Sequence, residues 1–200
     1  MTDRPGGRAP HVLPYAVAGV LLVILMFGTA AFLWSGNNTR IAIGGPFTLE
    51  NGAGQPVTDR SFHGKYMLIY FGYTYCPDVC PTTLQTVASA LDAMGPKADQ
   101  VAPIFITVDP ARDTPEVMKR YTQAFSPRLI GLTGTPEQIA QVTRDYHVYS
   151  AKHVTGPGPD DYSMDHSSVL YFMGPDGRFI APVQDEAPQQ MAADIARLMG

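Results

Sequence analysis

Short apolar runs alternate along most of the chain with segments in which apolar residues recur at helical spacing. The runs predict buried strands, because each is only a few residues long and is bounded by glycine, proline or polar residues. A small hairpin with a glycine-rich turn is predicted ahead of them, over residues 47–58. The predicted strands are Met67–Phe71, Val101–Val108, Leu129–Leu132, Val169–Met173 and Arg178–Pro182.

Helix signals separate these strands. One helix is predicted to begin at Pro81, another is capped by Thr114, and a third opens with a capping box at Thr135. Gln189–Met199 is predicted to form the closing helix. The alternation predicts an α/β sheet with helices on both faces. Two features fit a thioredoxin-like domain. A strand leads into a cysteine pair and a helix, and the chain ends with a hairpin and a helix.

The N-terminal part of the chain contains a long apolar stretch, in which Val17–Phe32 is almost wholly apolar. Val12–Trp34 contains no charged residue, and about 20 apolar residues are enough to cross a bilayer. We therefore predict an uncleaved N-terminal transmembrane helix, and Arg4 and Arg8 ahead of it favour a cytoplasmic N-terminus. The alternative is a cleaved signal peptide, for which Gly28–Ala30 would supply the small residues of the cleavage site.

These patterns divide the chain into four parts. Residues 1–11 are predicted to be a cytoplasmic tail, 12–34 the anchor, 35–45 a linker and 46–200 the thioredoxin-like domain. The domain is expected outside the cytoplasm, in the bacterial periplasm or in the mitochondrial intermembrane space. A short tail without a long Arg- and Ser-rich transit peptide favours a single-pass protein of the bacterial inner membrane.

Composition narrows the classes of function. The 200 residues suit one globular domain with a segment left over. A formal net charge of −4 argues against a nucleic-acid partner. The chain has two cysteines, Cys76 and Cys80, and both lie where a predicted strand ends and a predicted helix begins. A helix N-terminus favours anions, so this position is expected to lower a thiol pKa and to make the thiolate available.

Cys76 and Cys80 are four positions apart, which brings their side chains together in a helix or in a loop. Two thiolates in an exported domain can cycle as a dithiol, form a fixed disulfide or hold a soft metal ion. The spacing alone leaves these outcomes open, along with that of two buried structural thiols.

A metal site needs at least one further ligand, and His166 is the strongest candidate. It follows Asp165 at the end of a polar loop, just before an apolar strand, so the loop can bring it over the cysteine turn. Asp165 is a candidate to orient the imidazole, although a structural loop histidine is the alternative from spacing alone. The other histidines are weaker candidates: His11, His63, His147 and His153.

Five segments, in order, resemble the Sco/SenC family of membrane-anchored copper proteins for assembly of cytochrome c oxidase. They cover nearly the whole exported domain. The matching segments are Tyr-Cys-Pro-Asp-Val-Cys-Pro at 75–81, Val-Asp-Pro-Ala-Arg-Asp-Thr-Pro-Glu at 108–116, Phe-Ser-Pro-Arg-Leu-Ile-Gly-Leu-Thr-Gly at 125–134, Tyr-Ser-Met-Asp-His-Ser at 162–167 and Gly-Pro-Asp-Gly at 174–177.

The resemblance implies a thioredoxin-like fold with one copper ion per chain, as Cu(I), Cu(II) or both. The family's copper ligands, its two motif cysteines and the histidine of its Asp-His motif, correspond to Cys76, Cys80 and His166. The implied function is that of a copper chaperone that delivers copper to the binuclear copper site of oxidase subunit II. The family's acidic residue after the central strand corresponds to Asp109, for which a turn-forming role before Pro110 is the alternative.

The chemistry of this donor set agrees with the resemblance. Two thiolates and one imidazole suit Cu(I), and the imidazole also allows Cu(II). Zinc is the competitor, because Cys₂His plus water satisfies it as well. Met164, two positions before His166, is a weaker candidate for a thioether ligand.

Two other functions stay open. A thiol–disulfide reductase would keep the copper-binding cysteines of the target reduced, with Cys76 and Cys80 as the redox-active pair and no need of His166. A peroxiredoxin-like peroxidase is disfavoured, since the threonine expected three residues before the reactive cysteine is replaced by Tyr73. We expect a carrier rather than an enzyme. Its expected partners are oxidase subunit II, other periplasmic copper carriers and thiol reductases.

Overall fold

The structure is a computed structural model that describes residues 21, 22, 25–27, 29 and 42–200. Ala42–Gly200 forms a compact unit, and the description below concerns that unit. Most of the predicted anchor, residues 12–34, lies outside the described residues. Within the described part of the chain, no helix is long and apolar enough to cross a membrane.

The unit alternates strands and helices, largely in the order that the sequence predicts. Its strands are β1 (Thr48–Asn51), β2 (Pro56–Thr58), β3 (Tyr66–Gly72), β4 (Val101–Thr107), β5 (Ile130–Thr133), β6 (Ser150–Val154), β7 (Tyr162–His166), β8 (Leu170–Met173) and β9 (Phe179–Val183). Its α-helices are α1 (Val79–Met94), α2 (Pro115–Gln123), α3 (Pro136–Asp145) and α4 (Pro188–Met199). Short 3₁₀ helices span Asp59–Phe62 and Gly95–Gln100.

Seven strands form one mixed sheet in the order β2-β1-β5-β4-β3-β8-β9. The central strands β3, β4 and β5 are parallel, and β8 and β9 add to the free side of β3 as an antiparallel hairpin. Strands β6 and β7 pair only with each other, as an antiparallel ribbon. The mixed α/β architecture confirms the predicted thioredoxin-like fold.

The two faces of the sheet are covered by two apolar clusters, and β3 supplies both. Leu68 and Tyr70 belong to the first cluster, which includes residues of α1 and α4. Met67, Ile69 and Phe71 belong to the second, which includes residues of α3. Alternate side chains of a strand point to opposite faces, so every residue of this run is buried. The chain leaves this central strand directly into the cysteine turn.

The helix starts follow the predicted capping signals. The side chain of Thr114 accepts from the backbone N–H of Val117 at the start of α2. Thr135 and Gln138 form a reciprocal capping box at the start of α3. The helix after the cysteines begins at Val79, before the predicted Pro81, so Cys80 lies inside its first turn.

One element was predicted wrongly. The segment before His166 was expected to be a loop, and it is strand β7, whose register places His166 opposite Ser150. The strand directly follows a Gly- and Pro-rich loop and is only five residues long, so its alternation of Tyr162 and Met164 with polar residues is difficult to distinguish from the loop. His166 is therefore held by a hairpin rather than by a loop.

Candidate metal centre

The two cysteines lie between the end of β3 and the first turn of α1. The backbone N–H of Cys76 donates to the carbonyl of Tyr73 at 3.3 Å, which closes the turn after the strand. The backbone N–H of Cys80, one of the free donors at the helix N-terminus, donates to Sγ of Cys76 at 3.4 Å. The helix start therefore holds the first sulfur through the backbone of the second cysteine. Both thiols are free, with Cys76 half-buried and Cys80 buried.

Cys80 is held more tightly than its partner. Its side chain is 0% exposed, and the Tyr70 hydroxyl lies 3.9 Å from its sulfur. Burial raises the pKa of the Cys80 thiol to about 12. The helix N-terminus was expected to lower the pKa of the thiol. This is wrong for Cys80, because the desolvation of its buried thiolate raises the pKa by more than the helix N-terminus lowers it. In the metal-free chain Cys80 is a protonated thiol.

Gly72, the last residue of β3, makes room for the Cys80 sulfur. A Cβ atom at this position would lie 2.7 Å from Sγ of Cys80 and 2.7 Å from the ring of Phe105. Only a glycine fits between the two side chains without displacing one of them. The sulfur position therefore depends on the strand as well as on the helix.

His166 ends β7 and reaches the cysteines from the other side of the site. Its Nε2 atom lies 3.4 Å from Sγ of Cys80, and its Nδ1 atom lies 3.1 Å from the carbonyl oxygen of Ser167. A carbonyl only accepts, so Nδ1 carries a proton, and Nε2 is the nitrogen left to bind a metal ion. Nε2 thus faces the sulfur. Asp165, expected to orient this ring, is exposed on the adjacent position of the strand and does not do so.

Two tyrosine rings enclose the imidazole. The ring centroids of Tyr70 and Tyr73 lie 6.3 Å and 5.9 Å from that of His166, both in edge-on arrangements. Burial raises the pKa of each tyrosine, so both keep their hydroxyl protons. The two rings make this side of the site aromatic and uncharged.

The donor atoms of Cys76, Cys80 and His166 lie within 4.8 Å of one another. No other group of three or more His, Cys, Asp or Glu side chains in the described part of the chain is placed to hold a metal ion. Two sulfurs and one imidazole nitrogen are soft to borderline donors, suited to copper or zinc rather than to magnesium or calcium. The structure brings together the three predicted residues and can hold one soft metal ion there.

Among the described residues, the other candidate histidines do not join this cluster. His63 lies 3.9 Å from Asp59, and Nε2 of His147 lies 3.2 Å from the carbonyl of Ala42. His153 is exposed on β6. His11 lies outside the described residues, and Met164 packs against the second apolar cluster.

Asp109 is buried and does not act as a turn residue alone. Its carboxylate forms an ion pair with Nε of Arg112 at 2.5 Å and accepts from the Tyr162 hydroxyl at 2.9 Å. Tyr162 begins β7, the strand that His166 ends. Asp109 therefore links the loop after β4 to the histidine ribbon.

Asp113 is a site residue that sequence reasoning missed. Its buried carboxylate accepts from the backbone N–H of Thr74 at 3.0 Å, from the Thr74 hydroxyl at 2.5 Å and from the Thr107 hydroxyl at 2.6 Å. It fixes the turn two residues before Cys76. Asp113 lies inside the Val108–Glu116 motif, which was the one sequence signal that it belongs to the site. The sequence did not show that its hydrogen-bond partners are Thr74 and Thr107.

Comparisons with known proteins agree with this geometry. The family model described as SCO1/SenC matches residues 35–200. The chain belongs to the SCO1/SenC family. Within this family it is 45% identical over 152 residues to the protein SenC of Rhodobacter capsulatus, covering 76% of this chain and 68% of that protein. It is 42% identical over 164 residues to the human mitochondrial SCO1 homolog, covering 78% of this chain.

A solved SCO1/SenC structure matches the same region. ScoI of Bradyrhizobium japonicum, solved with copper bound, is 51% identical, with a TM-score of 0.72, and the match covers 78% of this chain and 99% of that one. The match covers only 53% of the human relative, so the chain spans about half the length of that protein.

Proposed function

We propose that this protein is a copper chaperone for assembly of cytochrome c oxidase, with Cys76, Cys80 and His166 as its copper ligands. The observation that carries the proposal is the Cys₂His cluster, whose donor atoms lie within 4.8 Å of one another. A relative of 51% identity, solved with copper bound, supports copper over zinc as the ion. Copper is the cargo in this account, one ion per chain, as Cu(I), Cu(II) or both.

The site is built to release copper as well as to bind it. Cys80 is buried and fixed between Gly72 and Tyr70, whereas Cys76 is half-buried and faces the surface beside exposed Tyr75 and Val79. An incoming thiolate can replace Cys76 first, while Cys80 and His166 still hold the ion. Because ligands leave one at a time, copper never has to be free in solution.

We propose oxidase subunit II, with its binuclear copper site, as the acceptor. The test mixes the copper-loaded chain with the copper-free soluble domain of subunit II and follows the absorption of the binuclear site. We expect transfer from the wild-type chain and none from a Cys76→Ser variant, which cannot hold copper tightly. Formation of the site at the same rate with free copper and with the loaded chain would contradict delivery by the protein.

A thiol–disulfide reductase is the second candidate, and one observation favours it. Both thiols are free and adjacent, and Cys76 is accessible at a helix N-terminus. Such an enzyme would reduce a disulfide in the copper site of the target, with formation of a Cys76–Cys80 disulfide and release of two target thiols. A His166→Ala variant would keep this activity and lose copper delivery, so the two functions separate in one variant.

The proposed setting is the outer face of a bacterial inner membrane. The uncharged segment 12–34 is proposed to anchor the chain, residues 1–11 to lie in the cytoplasm and 35–45 to link the anchor to the domain. Protease added to spheroplasts tests this topology. Digestion of the C-terminal domain with the chain still in the membrane fraction supports it, and a domain protected from the protease contradicts it.

A further inference from the structure

Arg112 makes contacts with both halves of the metal centre, although it is not itself a ligand. Its side chain is only 7% exposed, and its ion pair with Asp109 is buried on both sides. A buried guanidinium needs partners for most of its donors. The positions of these partners show what the residue holds.

The first set of contacts is to the histidine ribbon. Nη1 of Arg112 donates to the carbonyl of Tyr162 at 3.0 Å and lies 3.3 Å from the carbonyl of Asp160. The guanidinium carbon lies 3.6 Å from the centre of the Tyr162 ring. The Tyr162 hydroxyl donates to the Asp109 carboxylate, whose two oxygen atoms lie 2.9 Å and 3.1 Å from it. Tyr162 is thereby held at its backbone, its ring and its hydroxyl.

The second set of contacts is to the cysteine turn. The guanidinium carbon of Arg112 lies 4.6 Å from the centre of the Tyr75 ring and 5.8 Å from that of Tyr73. Tyr75 directly precedes Cys76, and the Tyr73 ring lies edge-on to His166. Cation–aromatic contacts within about 6 Å are favourable, both at the exposed ring of Tyr75 and at the buried ring of Tyr73. One side chain therefore contacts residues from each of the two segments that supply donor atoms.

Within the described residues, the ribbon is joined to the site by side-chain contacts and packing rather than by strand pairing with the main sheet. Strands β6 and β7 pair only with each other, outside the seven-stranded sheet. Side chains at alternate positions of a strand share a face, so Tyr162 and His166, four residues apart on β7, point the same way. A contact that fixes Tyr162 consequently fixes the direction of His166.

We propose that Arg112 is a positioning residue that holds the β6–β7 ribbon against the cysteine turn, so that His166 stays in place to complete the donor set. The inference rests on the proposed copper-binding function. The planar guanidinium of Arg112 makes three kinds of contact at once: it pairs with a carboxylate, donates to backbone carbonyls and lies against an aromatic ring. A lysine cannot do all three.

The first test uses the copper-free chain, which separates this inference from copper binding. Amide hydrogen exchange is compared between the wild type, Arg112→Gln and Arg128→Gln. Arg128 forms an exposed 2.5 Å ion pair with Asp99 near the opposite end of the sheet and is the control for loss of an arginine away from the site. We expect exchange over residues 162–166 to rise about tenfold in Arg112→Gln, as for the loss of one or two hydrogen bonds. Unchanged exchange there would overturn the proposal.

The second test is a double-mutant cycle on copper affinity. Arg112→Gln should weaken copper binding roughly 10–100-fold, the range for loss of a residue that orients a ligand. In the His166→Ala background the same substitution should have no further effect, since the histidine it positions is gone. An equal loss in both backgrounds would show a general structural role and overturn the proposal.

Tyr162→Phe is the milder variant if Arg112→Gln does not fold. It removes the hydroxyl that Asp109 accepts from and keeps the ring that lies against the guanidinium. We expect a smaller rise in hydrogen exchange over residues 162–166 and a smaller loss of copper affinity. The loss of affinity should again be absent in the His166→Ala background. Absence of tight copper binding in the wild type would refute the proposed function, while the hydrogen-exchange result on the copper-free chain would still decide the role of Arg112.

Discussion

The imidazole of His166 is oriented by the backbone of its own neighbour, Ser167. Nδ1 donates to the Ser167 carbonyl at 3.1 Å, and Nε2 is left to face Sγ of Cys80 at 3.4 Å. Metal-binding histidines generally use their second nitrogen in this way. A backbone acceptor cannot be removed by changing a side chain, so this orientation is insensitive to the residue type at position 167.

Asp165→Asn should leave copper affinity unchanged, to within roughly twofold. The Asp165 carboxylate is exposed and does not accept from the His166 ring, whereas losing a true orienting partner costs roughly 10–100-fold. Competition for Cu(I) with a chromogenic chelator measures the affinity. His166→Ala, which removes the ligand itself, is the matched control. A large loss in Asp165→Asn would show that the carboxylate orients the ring in the copper-bound chain.

Gly72→Ala should disturb the site through packing alone. The new Cβ would lie 2.7 Å from Sγ of Cys80 and from the ring of Phe105, so one of them must move. Overpacking of this kind costs about 1–3 kcal/mol of unfolding free energy, and a displaced sulfur weakens copper binding. Urea unfolding and copper competition measure the two effects. In Gly45→Ala the nearest approach would be 3.3 Å, to the side chain of Asp145, and both effects should be small.

The unfolding free energy should depend on the hydrogen-bonding oxygen atoms of Asp113 rather than on its charge. In Asp113→Asn the amide oxygen can accept from the Thr74 N–H, and the Thr74 hydroxyl can reverse to accept from the amide. Asp113→Ala leaves that buried N–H without a partner, at a cost of about 1–3 kcal/mol. Urea unfolding of both variants measures this cost. Equal destabilisation by Asn and Ala would contradict the assigned hydrogen bonds.

The same residue predicts a pH dependence. Burial raises the pKa of Asp113 above its ordinary value, so the native chain keeps this proton to higher pH than the unfolded chain does. Above the unfolded pKa of about 4, the contribution of Asp113 to the unfolding free energy therefore falls as pH rises, until its native pKa is passed. Relative to Asp113→Asn, the wild type should lose stability over that window in a series of urea titrations. A relative gain would show that the native pKa is lowered.

The two thiols should differ in reactivity. Cys76 is half-buried at the surface, whereas Cys80 is buried and burial raises its pKa to about 12. Because the thiolate is the reacting form, iodoacetamide should modify Cys76 first in the reduced, metal-free chain. Mass spectrometry of digested protein at short reaction times measures the order. Faster modification of Cys80 would mean that its thiol becomes exposed in solution.

Local sequence signals were enough to predict most of the fold. The buried run at β3 and the caps at Thr114 and Thr135 depend on neighbours a few residues away, and the structure agrees with each. The four-residue spacing of Cys76 and Cys80 was enough to predict that their side chains lie close together. Its position made His166 the strongest of the histidine candidates, and the family resemblance assigned it as a ligand.

The features that were missed depend on contacts between distant segments. Cys80 lies four residues before Leu84 on the apolar face of α1, so the helical period indicates its burial, but the space that Gly72 leaves for its sulfur depends on a strand contact that no local pattern shows. Tyr162 and Met164 alternate with Ser163 and Asp165 along β7 as in a strand, but the segment is short and follows a Gly- and Pro-rich loop, so the prediction extended the loop to His166. Arg112 meets Tyr162 across 50 positions of sequence, so its role appears only when the chain is folded.

Anaerobic copper titration tests the central claim most directly. The reduced full-length chain is titrated with Cu(I) beside Cys76→Ser, Cys80→Ser and His166→Ala. We expect one tightly bound copper per wild-type chain, loss of tight binding in either cysteine variant, and weaker binding with altered geometry in His166→Ala. Unchanged copper stoichiometry in a cysteine variant would contradict the ligand assignment. A wild-type chain that binds no copper but readily forms a reversible Cys76–Cys80 disulfide would identify a thiol reductase instead.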